Sequence, residues 1–302
     1  MNLLAHRLAA IVAVSLCSSV AAQTLYAVSV RTYADPSYKG VEGNLYRVDP
    51  ESAVTTLVAP LRLDGRESIG LDGLAIQRES GEFFGVTAPA TRLVPHSLVR
   101  LDPETGTVSL VGDLGVAASD VSFDTGGTLF IWLPKTKQVG KVDLKTAAVE
   151  ALGTPSATGA PQGGIEVVSR DLALVAASRA NGTLDSIDLK TGALIGSVQL
   201  KGARYPELIA GLAESPDGTL FGVNANGGVP SLADLVKIDR RTGQITVVGP
   251  LPNDTDAIAF GPAGKPEKGW DLDRLRELFY PVLIGIAFVL AIAFGYGTLR
   301  RR

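Results

Sequence analysis

One short unit recurs five times along the chain, and a repeat of this kind constrains the fold more than any local propensity does. It reads Leu45-Tyr-Arg-Val-Asp49-Pro-Glu-Ser-Ala-Val-Thr-Thr-Leu-Val and then Leu98-Val-Arg-Leu-Asp102-Pro-Glu-Thr-Gly-Thr-Val-Ser-Leu-Val. Val139-Gly-Lys-Val-Asp143-Leu-Lys-Thr-Ala-Ala-Val and Leu184-Asp-Ser-Ile-Asp188-Leu-Lys-Thr-Gly-Ala-Leu-Ile follow, and Leu235-Val-Lys-Ile-Asp239-Arg-Arg-Thr-Gly-Gln-Ile-Thr-Val-Val is the last. Each copy is a strand, an Asp-x-x-Thr-Gly turn and a second alternating strand. The Asp carboxylate can accept from backbone N–H groups ahead of it, and Gly supplies positive φ, so the unit predicts a hairpin.

A second hairpin unit alternates with the first: Gly73-Leu-Ala-Ile through Gly81-Glu-Phe-Phe-Gly-Val, Asp120-Val-Ser-Phe through Gly127-Thr-Leu-Phe-Ile, Glu166-Val-Val-Ser through Leu-Ala-Leu-Val, and Gly211-Leu-Ala-Glu through Gly218-Thr-Leu-Phe-Gly-Val. Together the two hairpins make a four-stranded antiparallel sheet, strands A to D, whose turn Asp residues recur every 41 to 53 positions. That is the size of a propeller blade. The chain opens on Thr24-Leu-Tyr-Ala-Val, which matches a strand B, and the repeat region finishes on Asp256-Ala-Ile-Ala-Phe-Gly-Pro-Ala-Gly264, which matches a strand A. The two fragments complete one blade. The expected fold is therefore all-β: a five-bladed β-propeller over residues 23–264, closed by pairing of its first and last strands, which leaves no open end.

Leu-Val-Arg-Leu-Asp102-Pro-Glu-Thr-Gly and Ser-Pro-Asp217-Gly-Thr-Leu-Phe221 also give the chain its likeness to known proteins. It resembles the secreted bacterial propellers with NHL-like or YVTN-like repeats, over residues 24–264. The resemblance implies a propeller and an exported one, and implies little about activity.

The mean hydropathy of +0.23 is high for a soluble chain, and two segments outside the repeats account for it. Residues 1–22 carry His6 and Arg7, an apolar run and Val20-Ala21-Ala22 before Gln23, the pattern of a secretory signal peptide. Residues 278–299 form an uncharged run followed at once by Arg300, Arg301 and Arg302, which predicts one transmembrane helix with a cytoplasmic C-terminal tail at 300–302. Residues 265–277 are the juxtamembrane linker; its Lys265-Pro266-Glu267-Lys268 is not the Pro-Glu-Pro signal of cleaved sorting tails. Cys17 is the only cysteine, so the exported chain has no disulfide and no thiolate metal site. Without Arg7 and the three terminal arginines, 24 basic residues face 31 acidic ones. An acidic ring disfavours nucleic acid as a partner and does not bind anionic lipid by charge.

Strand order sorts the connections. The A–B and C–D turns share one face, the bottom, next to the linker and the membrane; the D–A and B–C connections share the top, which faces outward. The top connections, 61–71, 87–96, 154–164, 201–210 and 224–234, differ in length and chemistry, as binding loops on a regular scaffold do. Aligning the first hairpins places Asp72 and Asp256 at one position and Asp120 and Glu166 at the next, so four of five blades offer a carboxylate where strands A converge. These groups could cap strand starts, hold calcium through oxygen ligands, or repel until one becomes a general acid. Arg66 with Glu67 and Arg204 with Glu207 could grip an anionic ligand at the channel mouth, and His96 is the one histidine after the signal peptide. No Gly-x-Ser-x-Gly elbow, Walker A sequence, dinucleotide fingerprint or zinc spacing occurs. The expectation is a membrane-tethered extracytoplasmic module that binds a protein, glycan or small molecule through its top face. The alternative is a propeller hydrolase of lactonase or glycosidase type using the channel carboxylates, with or without calcium.

Overall fold

The computed structural model describes residues 23–30, 43–88, 91, 93–155, 163–177, 182–206, 208–228 and 230–262. The segments expected to be a signal peptide (1–22), a linker (265–277), a transmembrane helix (278–299) and an arginine tail (300–302), together with Glu207, lie outside the described residues. Among the described residues no helix is long and apolar enough to cross a membrane. Every regular element among them is a strand.

The repeats fold as five four-stranded blades. Blade 1 runs from the axis outward as Thr255–Pro262, Gln23–Ser29, Asn44–Val48 and Thr55–Pro60; blade 2 as Leu71–Ile76, Phe83–Thr87, Ser97–Leu101 and Thr107–Asp113. Blade 3 is Val121–Phe123, Leu129–Leu133, Gln138–Val142 and Val149–Ala151; blade 4 is Ile165–Ser169, Leu172–Ala177, Thr183–Asp188 and Leu194–Gln199; blade 5 is Ile209–Glu214, Leu220–Ala225, Ala233–Ile238 and Ile245–Leu251. The first and last strands pair antiparallel from Gln23↔Pro262 to Ser29↔Thr255, as the split repeat requires. Each strand A touches the next, and the fifth touches the first. The ring is closed.

The C–D turns form for the reason their sequence gives. The Oδ1 atoms of Asp49, Asp143, Asp188 and Asp239 each accept from the backbone N–H two and three residues on; Asp102 accepts from Glu104 N and from Thr105 Oγ1. These bonds hold all five carboxyls below the usual carboxylate range. The fifth turn residue has φ between 56° and 72° in every blade. It is Gly at 106, 192 and 243 but Ala at 53 and 147.

The core is five cores. Alternate residues of each strand B enter opposite blade interfaces: Phe83 and Tyr26 pack between blades 1 and 2, Phe84 between blades 2 and 3, Leu25 and Ala27 between blades 5 and 1. The remaining interfaces gather Trp132 with Ile165 and Leu184 with Leu212. Because both faces of a blade are covered, the inner strands are apolar without alternation. The burial is therefore spread over five seams.

Candidate functional site

Strand pairing sets which residues share a level around the axis. Ala75, Ser122, Glu166, Ala213 and Ala259 pair with Phe84, Phe130, Leu174, Phe221 and Tyr26, and those five pair in turn with the strand-C residue two before the turn Asp: Arg100, Lys141, Ser186, Lys237 and Arg47. Asp120, whose carbonyl accepts from Trp132 N, lies two residues higher, at the level of Gly73, Gly164, Gly211 and Ala257. Glu166 therefore does not share Asp120's position as the sequence alignment expects; it sits two residues deeper. The inner strand of blade 3 spans three residues only, too few to carry a readable register.

At the upper of these levels the strands approach more closely than side chains permit. A Cβ on Gly73 would stand 2.9 Å from Asp120 Cα, and one on Gly211 2.7 Å from the Asp256 carbonyl oxygen. Asp120 is the one side chain larger than a methyl at that level, and it is fully buried. Its Oδ2 accepts from Ile165 N at 3.0 Å and from Leu212 N at 3.3 Å. Those donors belong to the next blade and the next but one, so the carboxyl crosses the axis. It satisfies two inner-strand N–H groups that burial would otherwise leave without partners, and it divides the channel into an upper and a lower mouth. Oδ1 has no hydrogen-bond partner. Burial pushes this carboxyl well above its ordinary value of 3.8, and the Glu166 charge adds to the shift.

The upper mouth holds Asp72 and Asp256, on the adjacent inner strands of blades 1 and 2. Burial lifts Asp72 to about 7. Burial, and then the charges of Asp72, Asp120 and Asp254, raise Asp256 well above 3.8. The two acids oppose each other's ionisation.

The lower mouth opens into a cavity lined by all five inner strands. Glu166 faces it, with its Oε2 accepting from Ser122 Oγ at 3.0 Å, while Ser122 Oγ accepts in turn from Val167 N at 3.0 Å. The Glu214 N–H also favours the ionised form, yet burial prevails and Glu166 rises to about 8. Glu214 repels it and Arg78 attracts it. Glu214 is itself bound by the Arg240 guanidinium, which also donates to the Gly218 carbonyl. Sequence reasoning missed Arg78, Ser122 and Glu214. The available signal was a column of small residues, Ala75, Ser122, Ala213 and Ala259, interrupted by one glutamate.

The carboxyls expected to form one calcium site are thus split between the two mouths. Among the described residues no three acidic or other ligating side chains form a group that could hold a metal ion. The arginines are separated as well. Arg62 and Leu63 pair in parallel with Thr107 and Val108, and Glu67 and Ser68 fold back on them, so Arg66 and Glu67 sit on a hairpin along the outer strand of blade 2. That is the rim of the ring and not the channel mouth: the connection between blades finishes its hydrogen bonding on the neighbouring sheet edge. Arg204 lies over the Tyr205 ring at 5.3 Å, in the connection between blades 4 and 5, where the Tyr205 carbonyl accepts from Asn224 Nδ2. His96 takes φ 53° beside strand C of blade 2, its carbonyl accepts from Leu114 N, and its buried Nδ1 has no partner.

Known proteins with this architecture share little of the sequence. One solved chain of a nidogen/laminin complex superposes with a TM-score of 0.50 at 12% identity, covering 80% of this chain and 98% of that one. The likeness is one of fold. A protein of unknown function from Bacteroides caccae (TM-score 0.49, 14% identity, 80% and 99% covered) and TolB from Acinetobacter baumannii (0.46, 11%, 75% and 53%) are also similar. No family model matches the chain, and no curated protein does.

Proposed function

We propose that the ring is an extracytoplasmic interaction module, tethered to a membrane through residues 278–299, whose top face receives a protein partner. The observation that carries this reading is the chemical contrast between the two faces. All five C–D turns on the bottom are built alike, and each uses up its own carboxylate on its own backbone. A turn whose polar groups are satisfied by its own backbone has little to offer a partner. The top connections share no such plan. They present Arg204 over Tyr205, His96 in a left-handed conformation, exposed Leu93 and Leu232, and the acid pair at the upper mouth. Exposed apolar and aromatic groups among polar ones are what protein interfaces use. The nidogen/laminin neighbour comes from a protein complex, which agrees with this use of the fold.

Site-specific photocrosslinking in intact cells tests the reading. A photoreactive residue at Arg204 or Leu232 should yield a discrete adduct, and the same residue at Lys145 or Arg241 on the bottom turns should yield none. Adducts from the bottom positions alone would refute it. Fractionation of the full chain beside a chain ending at residue 277 tests the tether: only the full chain should remain with the membranes.

A further inference from the structure

We propose that the lower mouth of the channel is a binding site for a primary ammonium group, received by Glu166. The site is separate from the top face and does not depend on what binds there. Three observations carry it. First, the inner-strand level that holds Glu166 is otherwise small, with Ala75, Ser122, Ala213 and Ala259 around it, so the glutamate has the space that four larger side chains would take. It faces a cavity built by all five blades and walled also by Phe123 and Phe260.

Second, the donors for an ionised carboxylate are already in place. Ser122 Oγ donates to Oε2 at 3.0 Å and is itself held by Val167 N at 3.0 Å, and the Glu214 N–H also favours the ionised form. A buried carboxylate oriented by neutral donors lacks one thing, a positive charge paired with it.

Third, the nearby charges do not supply it. Arg240 is committed to Glu214 and to the Gly218 carbonyl. Arg78 is exposed at the rim, and Asp120, above, adds a further acid. With no charge paired to it, Glu166 is held up to about 8 by its burial. A primary ammonium suits the site chemically: its head donates to the carboxylate, while its alkyl stem runs out through the open mouth toward solvent. Binding exchanges the proton on Glu166 for the ammonium, so the carboxyl ionises and one proton passes to solvent.

The test uses the full chain in detergent, titrated with n-butylammonium chloride at pH 7 by calorimetry in two buffers of different ionisation enthalpy. The expected result is saturable binding with close to one proton released. Glu166→Gln should weaken it at least tenfold, while Arg78→Gln, which removes a competing charge from an exposed position and leaves the fold intact, should tighten it severalfold. Competition by a lysyl tripeptide would identify the natural source as a protein side chain, and failure to compete would identify a free amine; both agree with the proposal. Absence of saturable binding, binding unchanged in both variants, or uptake of acetate in place of butylammonium would overturn it.

Discussion

Each blade interface brings the fifth residue of a C–D turn against the outer strand of the preceding blade, and in every interface one of the two contacting residues is glycine. The pairs are Ala59 with Gly106, Gly112 with Ala147, Leu152 with Gly192, Val198 with Gly243 and Gly249 with Ala53. A Cβ on Gly106 would lie 2.2 Å from the Pro60 carbonyl oxygen, and one on Gly243 2.0 Å from that of Gln199. Where the turn carries Ala despite a positive φ, its methyl stands 3.0 to 3.1 Å from the Cβ that Gly112 or Gly249 lacks. The interface admits one methyl, and either side can provide it.

Gly249→Ala puts two there. Its new Cβ meets Ala53 Cβ at 3.1 Å and the Ser52 carbonyl at 3.2 Å, an overpacking that costs about 2 kcal/mol, or about 4–8 °C in Tm for a ring of this size. Ala53→Gly alone is near neutral. It relieves about 1 kcal/mol of left-handed strain but gives up about 0.8 kcal/mol of buried methyl and gains chain entropy in the unfolded state. The double substitution recreates the Ala59–Gly106 arrangement and should recover most of the loss. Urea unfolding followed by circular dichroism gives the cycle. A coupling of about 2 kcal/mol is expected, and additivity within about 0.5 kcal/mol would refute the one-methyl rule.

Three further outcomes follow from the channel and the turns. Asp120→Ala leaves the Ile165 and Leu212 N–H groups unpartnered, at about 1–3 kcal/mol each, whereas Asp120→Asn keeps an acceptor and should lose far less; Tm separates them. Asp72 has its pKa raised in the fold from 3.8 to about 7, so its protonated form is favoured and stability falls as pH rises between those values; Asp72→Asn should flatten that part of the Tm–pH curve and raise Tm above it. The turn aspartates have the opposite sign: their pKa values are lowered, so the stability they give is present above their ordinary pKa and is lost as pH falls. With both sets acting, the stability maximum lies on the acid side of neutrality, and a maximum above pH 8 would contradict this assignment.

The blade count, the closure and the turn chemistry were legible because each is written several times over. Asp-x-x-Thr-Gly recurs with its mechanism in full view, and the orphan strands at the two ends had no other partner than each other. The inner-strand register was not legible. It depends on how far each top connection travels before the strand begins, and those connections differ. Glu166 and Asp120 look equivalent when strand starts are aligned and become distinct once Leu174 and Phe130 are paired. The hairpin carrying Arg66 escaped for another reason: a pairing of two residues, Arg62 and Leu63 with Thr107 and Val108, has no period to read. The glycine rule of the interfaces lay in the sequence unrecognised, since Val111-Gly112 and Val248-Gly249 occur only in the blades that precede an alanine turn.

Blade 1, its two seams and the closed channel all depend on the pairing of the chain's own first and last strands. Native-state hydrogen exchange of the amides in Gln23–Ser29 and Thr255–Pro262 measures this most directly. The closed ring predicts that Leu25, Ala27, Ile258 and Phe260 exchange together, at the slow rate of global unfolding. Fast exchange of either strand while Phe84 and Phe221 remain protected would show that the ends come apart on their own, and would contradict closure.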